Sequence, residues 1–162
     1  MVIYTDGSCL KNGYENSSGG YGVVVMDDDG NVVKCYSSFS NNTTNNQEEL
    51  KAVIYAIKNF GLTKEPIDVY SDSSYVVNTF TDWMFKWERN GWLKSDNKTP
   101  ENLDLIKEYY NYILKGYRIN LKRVRGHAGI LGNELADKLA TGKMTTEEVL
   151  NKYGKEKIIH YR

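Results

Sequence analysis

The run GYGVVVMDDDGNVVKCYSSFS, residues 20–40, constrains the fold more than any other stretch of the chain. Two segments rich in β-branched and aromatic residues flank Asp29-Gly30, a pair that supplies the backbone angles of a hairpin turn. With VIYTD at 2–6 read as a short strand, the chain opens as a three-strand antiparallel meander. The apolar face of such a sheet must be covered. From Leu50 the apolar residues fall at 50, 53, 54, 57 and 60, a helical spacing closed by Gly61, and Thr44 with Gln47 fits a capping box at the start.

The alternation then changes. IDVYSD at 67–72 reads as a strand and SSYVVNTF at 73–80 as the start of a helix. Thr99-Pro100 opens a further helix with Leu103, Ile106, Tyr110 and Ile113 inward, ended by Gly116. YRINLKRV is a strand and NELADKLA a short helix. Thr145 and Glu148 form a second capping box, which predicts a short docked helix with a loose end over 143–162. The order βββαβααβα predicts an α/β fold: a mixed sheet with helices on both faces.

At 162 residues and 40% hydrophobic content, one core and one domain are expected. No run of about 18 apolar residues and no secretory leader occurs, so the expectation is a soluble, cytoplasmic protein. Cys9 and Cys35 make neither a disulfide framework nor a metal-ligand cluster and are read as free thiols. Net charge is zero but unevenly spread. Residues 1–49 hold two basic and seven acidic side chains, whereas KGYRINLKRVRG at 115–126 carries Lys115, Arg118, Lys122, Arg123 and Arg125 without an acid. An acidic locus near a basic strip suits a metal site beside a phosphate backbone.

Asp6 is expected to end the first strand and Asp72 the fourth, the strand ends where α/β sheets build sites. Glu49 lies in the first turn of the helix after the meander, and Asp137 on the last compact helix. Four acids brought together repel, which raises their pKa values unless a cation is present. Oxygen ligands without a soft partner select Mg²⁺ or Mn²⁺. Taken singly, each acid also fits an ordinary turn or helix-surface role. At 100° per residue, Glu49 lies about 90° from the centre of the buried stripe and Glu48 about 170° away. Glu48 is therefore expected to face water.

YTDGS, TNNQEEL, VYSDSSYV and VRGHAGILGNELADKLA, in this order, resemble type 1 ribonuclease H, the nuclease that cuts RNA in RNA/DNA hybrids. The resemblance runs from about Val2 to Ala140, and four motifs agreeing in order and spacing make it specific. It implies the ribonuclease H-like fold: a five-stranded mixed sheet, three antiparallel strands then two parallel, in a catalytic domain over 1–142. It also implies that Asp6, Glu49, Asp72 and Asp137 hold two Mg²⁺ ions, with Mn²⁺ a substitute, roughly 4 Å apart. Cleavage would leave a 5′ phosphate and a 3′ hydroxyl. His127 matches the family histidine that assists proton transfer and product departure.

Asn12, Asn45, Asn46 and Gln47 match family positions that touch the hybrid, where amides can donate and accept. Where the family often has Gln, this chain has Ser74. WMFKWERNGWLKSDNK, within about 81–99, looks like the basic protrusion with which some members grip the hybrid. Trp83, Trp87 and Trp92 interleave there with Lys86, Arg89, Lys94 and Lys98, offering stacking surfaces and phosphate contacts. At least one of these rings is expected to anchor the segment to the core instead. His160 carries no functional reading. The resemblance implies a free-standing, monomeric enzyme, with no accessory hybrid-binding domain ahead of Met1. An inactive hybrid-binding module, a transposase or integrase of the same fold, and a reverse-transcriptase domain are the alternatives; the complete acid set, the small size and the complete protrusion weigh against them.

Overall fold

The computed structural model describes residues 1–10 and 17–155; Asn12 and His160 lie outside that range, as does the end of the C-terminal tail. Five strands form one sheet in the order β3-β2-β1-β4-β5. β1 (Val2–Leu10), β2 (Ser18–Met26) and β3 (Val32–Asn41) are antiparallel, and β4 (Ile67–Ser71) and β5 (Ile119–Arg123) add in parallel on the side of β1. This is the mixed sheet expected. The β2–β3 turn closes on Gly30 at φ 82°, while Asp27 Oδ1 accepts from the amides of Asp29 and Asn31.

Alternation along β1 and β2 divides the core in two. Ile3, Val23, Val25 and Val69 face α1 (Asn45–Phe60), whereas Val24 and Met26 face α5 (Leu131–Thr141) on the opposite side. Helices therefore cover both faces. Beyond α1, a third cluster joins Leu50, Val53 and Ile57 to Val76 of α2 (Ser74–Asn78), Met84 of α3 (Met84–Arg89) and Ile106 of α4 (Leu103–Leu114). α6 (Thr146–Tyr153) opens with both bonds of its capping box and seats Val149 against β3.

Two local expectations are corrected. β1 does not stop at Asp6 but runs on to Leu10, because Gly7, Ser8 and Cys9 keep pairing with β2. α4 begins at Leu103 rather than at Thr99-Pro100: Asn102 sits at φ 59°, a left-handed angle from which the preceding residues cannot continue the helix. The helix expected to start within 73–80 forms from Ser74 and carries on into the protrusion, with a π-helical turn over Thr79–Trp83 between α2 and α3.

Candidate active site

The site is built where the sheet changes partners. β4 pairs with β1 only from Val2↔Asp68 to Thr5↔Ser71, so the next residues on the two strands, Asp6 and Asp72, lie side by side past the end of the pairing. Thr5 Oγ1 donates to Tyr70 O at 3.2 Å across this last rung. Ser71 O accepts from Val124 N, Ser71 Oγ accepts from Ser73 N, and Ser73 caps α2. Asp72 thus stands on backbone fixed from both sides. A β-carbon at Gly126 would lie 3.0 Å from its Oδ2, so the loop after β5 packs tightly against this carboxyl.

Glu49 is delivered by the N-terminus of α1, which Thr44 caps by accepting from Gln47 N at 3.1 Å. That end of the helix presses hard on the sheet. A β-carbon at Gly7 would stand 2.2 Å from Glu49 N, and one at Gly19 would stand 3.1 Å from Glu48 Cγ. Contact this close overturns the expectation for Glu48, which is fully buried rather than facing water. Its Oε2 accepts from Thr43 Oγ1 at 2.7 Å and from Lys51 Nζ at 2.8 Å. A helical wheel ranks a residue by direction alone; glycines in β1 and β2 let the helix sink until its flank is covered as well.

α5 supplies the fourth acid from the other face. Gly132 packs on the Tyr4 ring, and Gly20 and Gly22 lie beneath the carbonyls of Ala140 and Ala136, which lets the helix sit close over β1 and β2. Asp137 then comes near enough to Asp6 to help raise its pKa. His127, at φ 54° in the loop before α5, is exposed on the rim. Asp6, Glu49, Asp72, Asp137 and His127 line one open cleft of about 490 Å³, with Asn45, Asn46 and Ser74 on its walls.

Oxygens of Asp6, Glu49 and Asp72 lie within 4.8 Å of one another. Burial, then the Glu49 and Asp72 carboxylates, push the Asp6 carboxyl far above the usual range. Burial also raises Glu49, partly offset by the nearby Asp6 carboxyl and Gly7 amide. Burial and mutual repulsion thus favour the neutral form of this pair of acids. Glu49 Oε2 is buried with no hydrogen-bond partner among the described residues. A hard divalent cation fits this set, because it satisfies the bare oxygen and offsets the repulsion that otherwise retains the proton.

The remaining candidates separate. Gln47 turns toward Thr43 Oγ1 at 3.1 Å and is not among the residues lining the cleft. Trp83, Lys86, Trp87, Arg89, Trp92 and Lys94 belong to the segment after the π-turn and do not line it either. Trp87 and Trp92 pack against the α1–α4 core, Trp92 meeting Tyr110 edge-on at 5.2 Å, whereas Trp83 is exposed. Within the basic strip, Lys122 pairs with Asp68 at 3.2 Å and Arg118 donates to the carbonyls of Ile113 and Tyr117. Ser8, Ser73 and Tyr75 also line the cleft, unflagged by the sequence reading. Their adjacency to Asp6 and Asp72 was the available signal.

The RNase H family model matches residues 1–145. Ribonuclease H of Thermoanaerobacter sp. strain X514 is 45% identical over 144 residues, 87% of each chain. LC9-RNase H1, described as a type 1 RNase H with the type 2 active-site motif, superimposes with a TM-score of 0.72 at 32% identity, covering 89% of this chain and 72% of its own. A foamy viral protease-reverse transcriptase, solved in complex with RNA/DNA hybrid, aligns with a TM-score of 0.77 at 26% identity over 87% of this chain and 19% of its own. The family match over residues 1–145, the 45% identity over most of the chain and the likeness in fold lead to one conclusion: the chain belongs to the ribonuclease H family.

Proposed function

We propose that this chain is an endonuclease hydrolysing the RNA strand of RNA/DNA hybrids with two divalent cations, leaving 5′-phosphate and 3′-hydroxyl ends. The observation that carries the reading is the three-carboxylate cluster, with oxygens within 4.8 Å of one another and one buried oxygen bare. Mg²⁺ is the natural occupant, Mn²⁺ a substitute, and Asp6, Glu49, Asp72 and Asp137 are the residues that would hold it. Bound cations of this kind activate a water and offset charge on attacking and leaving oxygens.

The chain's own groups do the rest. Gly7 N, donating to Asp6 Oδ1 at 3.0 Å, holds the Asp6 carboxyl in place. Asn45 and Asn46 present amides along the cleft wall, suited to sugar hydroxyls and base edges. His127, exposed at the rim, moves a proton as product leaves. Trp83 and the charges of Lys86, Arg89, Lys94 and Lys98 contact the hybrid backbone away from the chemistry.

The test is incubation with a hybrid labelled in its RNA strand, with duplex RNA and duplex DNA as controls, with and without Mg²⁺. RNA cleavage in the hybrid alone, lost in chelator, is the expected result. Cleavage that persists in excess chelator would overturn the metal-dependent mechanism.

A further inference from the structure

Glu48 neighbours the proposed metal ligand Glu49 and is wholly buried, yet the proposed chemistry does not use it. Its Oε1 has no hydrogen-bond partner among the described residues. A buried acid with one bare oxygen is costlier than an apolar side chain of the same volume. What it provides is geometry. Oε2 accepts from Thr43 Oγ1 at 2.7 Å, and Thr43 is locked in turn: its amide donates to Ser17 Oγ at 2.9 Å, and its carbonyl accepts from the same hydroxyl at 2.7 Å. Lys51 closes the circuit, donating to Glu48 Oε2 at 2.8 Å and to Ser40 Oγ of β3 at 3.3 Å.

These bonds join the start of β2, the end of β3 and the first turns of α1. At their centre is the two-residue junction Asn42-Thr43, in which Asn42 turns the chain at φ 53°. Directly after it come Thr44, the helix cap, then Asn45 and Asn46 on the cleft wall. Glu49 is independently fixed by the close approach of Gly7, so the Glu48 network governs the residues before it more than the acid after it. We propose that Glu48, acting through Thr43, is a positioning residue that sets Asn45 and Asn46 for contact with the hybrid. This rests on the proposed hybrid contact by those two amides.

The experiment is steady-state cleavage of a labelled hybrid in Mg²⁺ by the full chain, with thermal melts on each variant. Glu48→Ala and Thr43→Val are each expected to raise KM about tenfold, the size of one charge-assisted hydrogen bond, with kcat within about twofold. The double variant should be no worse than either single one, since each breaks the same link. Glu48→Gln keeps an acceptor for Thr43, and Thr43→Ser keeps the hydroxyl; both should hold KM within about threefold. Should Glu48→Ala fail to fold, Thr43→Val against Thr43→Ser decides alone. A lowered melting temperature with KM unchanged in Thr43→Val, or additive effects in the double variant, would overturn the proposal. Asn45→Ala with Asn46→Ala separates the two layers. If that variant raises KM while Thr43→Val does not, only the positioning role fails; if it leaves KM unchanged, the hybrid contact itself fails.

Discussion

The acidic cleft and the tryptophan-bearing segment after α2 are built in opposite ways. In the cleft every acid is placed by backbone that has little room to shift: a strand register for Asp6 and Asp72, a pressed helix end for Glu49, a glycine-seated helix for Asp137. In the protrusion, Gly91, Trp92 and Asn97 all take positive φ, and the Asn90 side chain donates to the carbonyls of Leu93 and Lys94. That local turn chemistry holds the segment, with Trp87 and Trp92 as anchors. Lys86, Arg89 and Lys98 are exposed and Lys94 is half-buried, and Lys86 is already paired with Asp82 at 3.3 Å. The difference teaches that chemistry here should depend on single residues, whereas grip should be distributed and salt-sensitive.

The sharpest way to break this contrast is Asp6→Asn or Glu49→Gln. Each is expected to lower hybrid cleavage in Mg²⁺ by about 10⁴ or more while the chain stays folded, as judged by circular dichroism. Residual cleavage near the wild-type rate in either variant would remove that acid from the machinery. His127→Ala, which changes a rim residue, should be intermediate: turnover slowed by about 10² with Mg²⁺ affinity unchanged by calorimetry. Abolished Mg²⁺ binding would instead make the imidazole a ligand. Replacing Lys86, Arg89, Lys94 and Lys98 together by Ala should raise KM about tenfold at low salt and flatten its salt dependence, leaving kcat alone. Within that set Arg89→Ala should cost more than Lys86→Ala, because Lys86 begins in an ion pair; the reverse order would show that the pair opens freely.

The smallest effect concerns stability. Asp6 and Glu49 have pKa values raised above their unfolded ones, so above the ordinary acid range the folded state binds more protons than the unfolded. Stability conferred by those protons is present at low pH and is lost as pH rises through the raised values. In chelator, the melting temperature should therefore fall by a few degrees between about pH 5 and about pH 8, and Mg²⁺ or Asp6→Asn should reduce the fall. An Asp6→Asn profile that parallels the wild type in chelator would show that the crowding is relieved some other way.

Most of the architecture was legible because its signals are local. The hairpin at Asp29-Gly30, the spacing of Leu50, Val53, Ile54 and Ile57, and the Thr145 cap each declare an element within a few residues. The acids that converge could be named from their motifs, but their separations come from register and helix seating, which no short window encodes. Glu48 shows the limit most clearly. Its burial depends on Gly7 and Gly19, some thirty to forty positions away in sequence, and on Thr43 and Lys51 supplying partners. The length of β1 was missed for a related reason: GSCL carries no β-branched residue, and only pairing with β2 keeps it extended. Trp87 and Trp92 read as stacking surfaces until the partners on α4 were in place.

The seat of α6 bears on how far the chain can be trimmed. β3 is the outermost strand of the meander, and the helix ends in a single parallel bridge from Gly154 to Val32 on it. The family match ends at residue 145, one residue short of this helix. A protein cut there would keep every acid of the cleft but uncover Val32 and the apolar seat of Val149, leaving an open sheet margin with an oily flank. Such a margin recruits other chains. Removing this helix is therefore expected to promote self-association, to be read first as lower solubility on concentration, before any change in turnover.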